Sequence, residues 1–460
     1  MSSRVRIIGA GLAGSEAAWQ CVRRGVAVEL FEMRPVRSTP AHQTGDFAEL
    51  VCSNSLKSDT ENTAPWLLKE EMRRAGSRLM EIARECAVPA GHALAVDRSL
   101  FRARVTQAIS REALITVRRE EVTRVHEEGI TIIATGPLTS DALSLEIARL
   151  SGSGSSPGFA GGPVCPRQAA SNLYFYDSIS PIVEADSIDM SKVYRAARYD
   201  KGSADYINCP LSKEEYDRFY EALISAQAVE ARDWEKLNYF EGCLPIEEIA
   251  RRGRDTLRFG PMKPVGLKDP GSGQQSYAVV QLRQENLRAD SYNLVGFQNH
   301  LKFAEQARVL RLIPGLEQAR FLRYGQIHRN TYINSPALLN ATLQMKAFPR
   351  VFFAGQICGV EGYVESIATG LMAGMHAAAL ACGAELVAPP RASAFGSLIN
   401  YITQANAKNF QPANITFDLL PPLTERVGER QERHRRQCAR ALREFARWWE
   451  ALGVIPVSVA

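Results

Sequence analysis

A chain of 460 residues exceeds one ordinary domain, so about two or three domains with ample buried core are expected. Hydrophobic residues at 45% and charged residues at 23% exclude a disordered or fibrous chain, while a net charge of +5 permits a polyanionic partner without requiring one. No stretch reads as the roughly 18 apolar residues of a membrane span, and the nine scattered cysteines contain no C-x-x-C pair, which argues against a metal site.

The chain enters a strand at Val5–Ile8 and turns through Gly9-Ala10-Gly11-Leu12-Ala13-Gly14. A helix is expected from Ser15 to about Arg24, then a second strand over Ala27–Phe31 that ends at Glu32. A polar, exposed loop is expected around Cys52-Ser53-Asn54-Ser55, followed by one long helix over Leu67–Cys86. Ile130–Thr135 reads as a buried strand ending in Thr135-Gly136-Pro137, and residues 151–168 have the Gly/Ser/Pro composition of a flexible linker. The segment from about 170 to 320 mixes strands with helices such as Lys213–Gln227. Val351–Gly355 is a further strand and glycine turn, leading into a helix over Ser366–Leu380.

These elements predict an α/β chain: a Rossmann-like FAD-binding domain of the two-dinucleotide-binding flavoprotein type, interrupted by an inserted α+β domain. The expected boundaries are 1–165, 166–320 and 321–460, the last part carrying a basic C-terminal helix. In the glycine loop the first glycine permits the turn, the second admits a pyrophosphate to the backbone, and the third lets helix and strand pack closely. The helix N-terminus favours phosphate, and Glu32 is placed to accept from an adenosine ribose. Thr135-Gly136 and Gly355 resemble the second and third flavin-contact turns of such flavoproteins, with Gln356 where an Asp is common. No secretory signal precedes the first strand, so a cytoplasmic protein with reduced thiols is expected.

A closer resemblance rests on longer runs. GAGLAGSEAAW (9–19), FEMRPV (31–36), TPAHQT (39–44), FAELVCSNSL (47–56), LKEEMRRAGS (68–77) and VPAGHALAVDR (88–98) open it. ATGPLTS (134–140), YINCP (206–210), FEGCLPIE (240–247), FGPMKPVGL (259–267) and VVQLRQ (279–284) continue it. HRNTYINSP (328–336), GVEGYVES (359–366) and NFQP (409–412) complete it. Together they resemble the folate- and FAD-dependent tRNA uracil-5-methyltransferases, TrmFO, over nearly the whole chain. The chain departs from the family's pattern in its longer 151–168 linker, in His92 for a usual glycine and in Ala413.

The resemblance implies transfer of a one-carbon unit from 5,10-methylenetetrahydrofolate to C5 of a T-loop uridine in tRNA, with FAD as cofactor and NAD(P)H as reductant. Uracil C5 becomes nucleophilic once a thiolate adds at C6, and a second group must then take the C5 proton. The resemblance implies Cys243 as nucleophile and Cys52 as base, with exchange of the two roles left open; Cys209 in the YINCP motif is a weaker thiol candidate. Arg283 and Lys408 are candidates for the folate tail or phosphates, and His328-Arg329 for the neighbourhood of flavin or substrate. Arg426–Arg447, with eight Arg and three Glu, and Arg251-Arg252-Gly253-Arg254 are candidate basic contacts with RNA. Three other readings share parts of this pattern: the same chemistry on a ribosomal RNA uridine, an FAD/NAD(P)H oxidoreductase of a small molecule, and a non-catalytic RNA-binding flavoprotein.

Overall fold

The computed structural model describes residues 4–126, 128–151, 174–178, 180–200, 204–229 and 244–453. Cys243, Cys165 and most of the 151–168 linker lie outside the described residues.

Val5–Ile8 forms the centre of a five-stranded parallel sheet, flanked by Val28–Phe31 on one side and Ile130–Ile133 on the other. Ile115–Arg118 and Val351–Phe353 close its two edges. Ile130–Ile133 and Val351–Phe353 are buried throughout, as strands covered on both faces are, while the edge strand Ile115–Arg118 exposes Thr116 and Arg118. The helix Leu12–Val22 starts inside the glycine loop, three residues earlier than its apolar pattern suggested. Against it lies the helix Tyr363–Ala381, and the two approach closely because small residues face each other. A Cβ at Gly370 would stand 2.3 Å from the Ala13 carbonyl oxygen, and one at Gly374 would stand 2.4 Å from that of Ala17.

Tyr363–Ala381 corrects one expectation: by length and composition it is long and apolar enough to cross a membrane. In the fold, 83% of its apolar window is buried against the parallel sheet and its partner helices. A second correction concerns Leu67–Cys86, which is two helices, Ala64–Arg74 and Arg78–Glu85. The break is local chemistry. Gly76 adopts φ +72°, a left-handed conformation glycine tolerates, and Ser77 caps the next helix by accepting from the Met80 amide. Buried Glu16 fixes the corner, accepting from Ser77 Oγ at 2.8 Å and the Leu79 amide at 3.1 Å.

A six-stranded antiparallel sheet forms the other half, in the order Tyr194–Ala196, Tyr206–Leu211, Ala278–Gln284, Ser291–Leu294, Ile182–Glu184 and Phe321–Arg323. It carries its own core, including Tyr216, Phe219, Leu282, Tyr292 and Phe297. Phe321–Arg323, read from sequence as the start of the third segment, is an edge strand of this sheet. A two-stranded ribbon, Tyr174–Ser178 with Ile327–Thr331, joins the two halves, and the His328 and Arg329 backbones pair within it.

Candidate active site

The C-terminal ends of the first, second and fourth parallel strands in chain order open on one cleft. Gly9, Gly11, Leu12, Ala13, Glu32, Thr135, Gly136, Gly355 and Gln356 all line it, so residues up to about 350 positions apart converge there. Ala10 and Gly14 stand behind the lining. Each glycine has a distinct reason. A Cβ on Gly14 would lie 1.7 Å from the Gly9 carbonyl oxygen, and one on Gly9 2.6 Å from that of Ala134. At Gly11 a Cβ would meet nothing within 4 Å, because that face is open to the cleft.

The Leu12–Val22 helix begins at Gly11 without any side-chain cap, so its first amides and its dipole face the cleft unneutralised. This uncapped terminus, the bare Gly11 face and the two later glycine turns fit a dinucleotide of the FAD kind. Glu32 plays a different part from the one its position suggests. One carboxylate oxygen accepts from the Ala10 amide at 3.1 Å and from Arg34 Nη2 at 3.2 Å; the other accepts from the Arg34 amide and Nε at 3.0 and 2.9 Å. All of about four acceptor sites are thereby filled. A ribose hydroxyl reaches Glu32 only if Arg34 yields. Burial opposes ionisation of Glu32, but the Arg34 charge and bonds outweigh it and hold the carboxyl below its ordinary range. Arg34 also reaches Glu49 at 3.1 Å, tying the loop after the second strand to the cleft wall.

Cys52 lies beside this cleft, next to lining residue Val51. It is partly buried rather than fully exposed, because Tyr363 covers it. The Cys52 amide donates to the Tyr363 hydroxyl at 2.8 Å, and the thiol stands 3.0 Å from the same oxygen. Tyr363, itself a lining residue, is held neutral: burial and then the neighbouring Cys52 push its pKa well up. It therefore remains a hydroxyl donor near neutral pH.

The Cys52 loop is built from side chains of both halves. Asn54, fully buried, donates to the Val96 and Gln284 carbonyls at 3.1 and 2.9 Å. Arg283 Nε donates to Asn54 Oδ1 at 2.8 Å, and its Nη2 to Ser53 Oγ at 2.9 Å. Arg98 donates to the Leu50 carbonyl at 3.0 Å and pairs with Glu285 at 2.5 Å. Arg323 donates to the Ala41 carbonyl at 3.1 Å. The charges of Arg98, Arg283 and Arg323 all act on Cys52. Cationic surroundings and a hydroxyl donor favour a thiolate.

The buried thiols among the described residues are poorly placed for chemistry. Burial pushes Cys21, Cys358 and Cys438 up to about 12 and Cys86 up to about 11. Cys209 is fully buried and pushed higher still, which removes it as a nucleophile. Arg283 is engaged inside the seam rather than presented to a ligand, and Lys408 is exposed outside the cleft lining. Among the described residues no group of three or more His, Cys, Asp or Glu is arranged to hold a metal. Tyr363, Arg98, Arg323, Asn54 and Arg34 were not singled out from sequence. All but Arg323 lie inside the motif runs, so motif membership was their available signal.

The basic stretches are neutralised only in part. On the C-terminal helix Arg430–Ala451, Arg435 and Arg436 pair with Glu432, and Arg447 pairs with Glu444. In the other half, Arg251 pairs with Glu248, and Arg254 with Asp217 and Glu221.

Comparison with known proteins agrees with this arrangement. The family described as glucose inhibited division protein A matches residues 4–385. A protein of Koribacter versatilis named methylenetetrahydrofolate--tRNA-(uracil-5-)-methyltransferase TrmFO is 72% identical, over 97% of this chain and 98% of its own length. One of the same name from Solibacter usitatus is 59% identical, over 98% of this chain and 100% of its own. Among solved structures, GidA of Aquifex aeolicus superposes with a TM-score of 0.68 at 16% identity, covering 99% of this chain and 77% of that one, and so shares the fold. With relatives this similar along almost its full length, the chain belongs to the TrmFO family, within the wider glucose inhibited division protein A family.

Proposed function

We propose that this protein is an FAD-dependent enzyme. It transfers and reduces a one-carbon unit from 5,10-methylenetetrahydrofolate to C5 of a T-loop uridine in tRNA, giving 5-methyluridine, with NAD(P)H as reductant. The observation that carries this reading is the thiol of Cys52 at 3.0 Å from Tyr363, a residue that lines the glycine-built cleft. A flavoprotein acting on small molecules by hydride transfer alone has no use for a thiol held there. The names of the relatives at 72% and 59% identity support tRNA and folate as substrates.

In this reading Gly11, Leu12 and Ala13 would hold the pyrophosphate through backbone amides, Gly9 shapes the turn with its own amide given to the Phe31 carbonyl at 2.8 Å, and Thr135, Gly136 and Gly355 would line the rest of the flavin site. Bound there, FAD supplies the carrier for the one-carbon unit and for the hydride. Cys243 attacks uracil C6, forming an S–C6 bond and placing the electron pair on the O4 enolate, so that C5 becomes the nucleophile. Once C5 carries the one-carbon unit, the Cys52 thiolate takes the C5 proton; release of the unit from its carrier leaves an exocyclic methylene, a hydride originating in NAD(P)H reduces it to the methyl group, and the electron pair returned to the ring expels the Cys243 thiolate from C6. Tyr363 orients Cys52 through the 3.0 Å contact between hydroxyl and thiol, and Arg98, Arg283 and Arg323 place positive charge around it. The chain serves the reaction as two domains, one built on the parallel sheet and binding flavin, the other inserted into it and carrying the antiparallel sheet through Phe321–Arg323.

Mass analysis of nucleosides tests this. Purified protein incubated with unmodified tRNA, 5,10-methylenetetrahydrofolate and NADPH is expected to yield 5-methyluridine in the T-loop. An unmodified uridine pool overturns the reading, as does methylation supported by S-adenosylmethionine alone or found only in ribosomal RNA.

A further inference from the structure

FGPMKPVGL (259–267) touches neither the cleft nor the Cys52 loop, yet it makes an unusual surface. Phe259 is 82% exposed, the highest value among the large hydrophobic residues described. Its exposure does not come from a loose segment. Leu257 and Met262 on either side are fully buried, and the Val279 amide donates to the Met262 carbonyl at 3.1 Å. Arg258 Nε donates to the Tyr277 carbonyl at 2.9 Å, and its guanidinium stacks 3.7 Å from the Tyr277 ring centroid. The ring of Phe259 is therefore held out on a fixed mount.

The charge around it has one sign. Residues 256–268 contain Arg258, Lys263 and Lys268 and no acidic residue. The flanking acids are occupied: Asp255 pairs with Arg258, and Asp269 accepts from the Gly271 amide. Lys263 and Lys268 are exposed, and among the described residues neither forms an ion pair. This differs from Arg251 and Arg254 nearby, which neighbouring carboxylates neutralise.

The strand Ala278–Gln284 relates this rim to the chemistry. Near its start Val279 binds Met262; near its end Arg283 grips Asn54 and Ser53, next to Cys52. Four residue steps at about 3.3 Å separate them, roughly 13 Å along the strand. The rim and the Cys52 loop are thus fastened near opposite ends of one strand.

We propose that this rim binds the substrate RNA, with Phe259 stacking on an unpaired base and Lys263 and Lys268 meeting phosphates. The assignment rests on the tRNA reading above. Aromatic stacking tolerates any base, and lysines act as point charges on the backbone, so the rim contributes affinity more than sequence choice.

The test uses full-length, flavin-loaded protein and an unmodified tRNA transcript, with Kd measured at several salt concentrations. Phe259→Ala and Phe259→Leu are expected to weaken binding about 10-fold, and Phe259→Tyr to stay within about 2-fold, because only aromatic rings stack. Lys263→Ala with Lys268→Ala is expected to lower the slope of log K against log salt by about 1.4–1.8, for two phosphate contacts. Thermal midpoints should match wild type, since these side chains are exposed. Affinities and slopes equal to wild type, in protein that still methylates tRNA, overturn the rim alone. So does a Phe259 variant that alters the oligomeric state but not RNA affinity. A wild-type protein that neither binds nor methylates tRNA overturns the proposed function, and the rim's partner with it.

Discussion

The glycine cleft and the Cys52 loop sit side by side but are made of different material. The cleft is built of backbone: uncapped amides at Gly11 to Ala13, and glycines whose missing Cβ atoms make room for each other or for a ligand. The loop is built of side chains drawn from distant places, with Asn54, Arg98, Arg283, Glu285 and Tyr363 each holding another. A backbone site is set once strand and helix form, and it binds without choosing side-chain chemistry. A side-chain site holds its thiol only while every partner is present. Binding and chemistry are thereby separable, and substitutions should divide along that line.

The largest effect is expected at the thiol. Cys52→Ala should lower methyl transfer by about 10²–10⁴-fold, the usual range for a lost general base, while flavin content stays at the wild-type level. Next comes the cleft. Gly14→Ala would force a Cβ to 1.7 Å from the Gly9 oxygen, so the purified protein should carry little flavin and lose about 1–3 kcal/mol of stability. Gly11→Ala, with nothing within 4 Å in the fold, should leave the thermal midpoint of the flavin-free protein unchanged and reduce only flavin binding. A Gly11 variant as unstable as the Gly14 one would break the account of the loop.

The seam gives intermediate effects. Asn54→Ala leaves the buried Arg283 Nε and Gln284 carbonyl without their partner, a cost of about 1–3 kcal/mol. Turnover should fall with flavin content unchanged; loss of flavin in parallel would show that cleft and seam are one unit. The smallest change is expected from Tyr363→Phe. Its hydroxyl donates to the charged form of Cys52 and so favours it. Without that donor the acid limb of kcat/KM should move to higher pH, and a limb that stays in place would remove Tyr363 from the thiol's environment.

The same division explains what the sequence revealed. Gly9 to Gly14, Thr135, Gly136 and Gly355 were legible because glycine spacing after an apolar strand reports backbone geometry directly. The break at Gly76-Ser77 was legible in principle, since glycine followed by a capping serine ends one helix and starts another; the apolar periodicity running through it concealed the stop. The partners of Cys52 were not legible as partners. Asn54 and Gln284 are 230 positions apart, and no local pattern states that one will hold the other. Glu32 shows the limit from the other side: its position was correctly placed in the cleft, but its occupation by Arg34 depends on the turn that follows the strand.

The most direct measurement of the account is made on Cys52→Ala and wild-type protein together, reading the flavin-to-protein ratio and the 5-methyluridine formed in tRNA in the same preparations. The account predicts equal flavin in both, with 5-methyluridine formed only by wild type beyond a trace. A Cys52→Ala protein that methylates tRNA at the wild-type rate would contradict it.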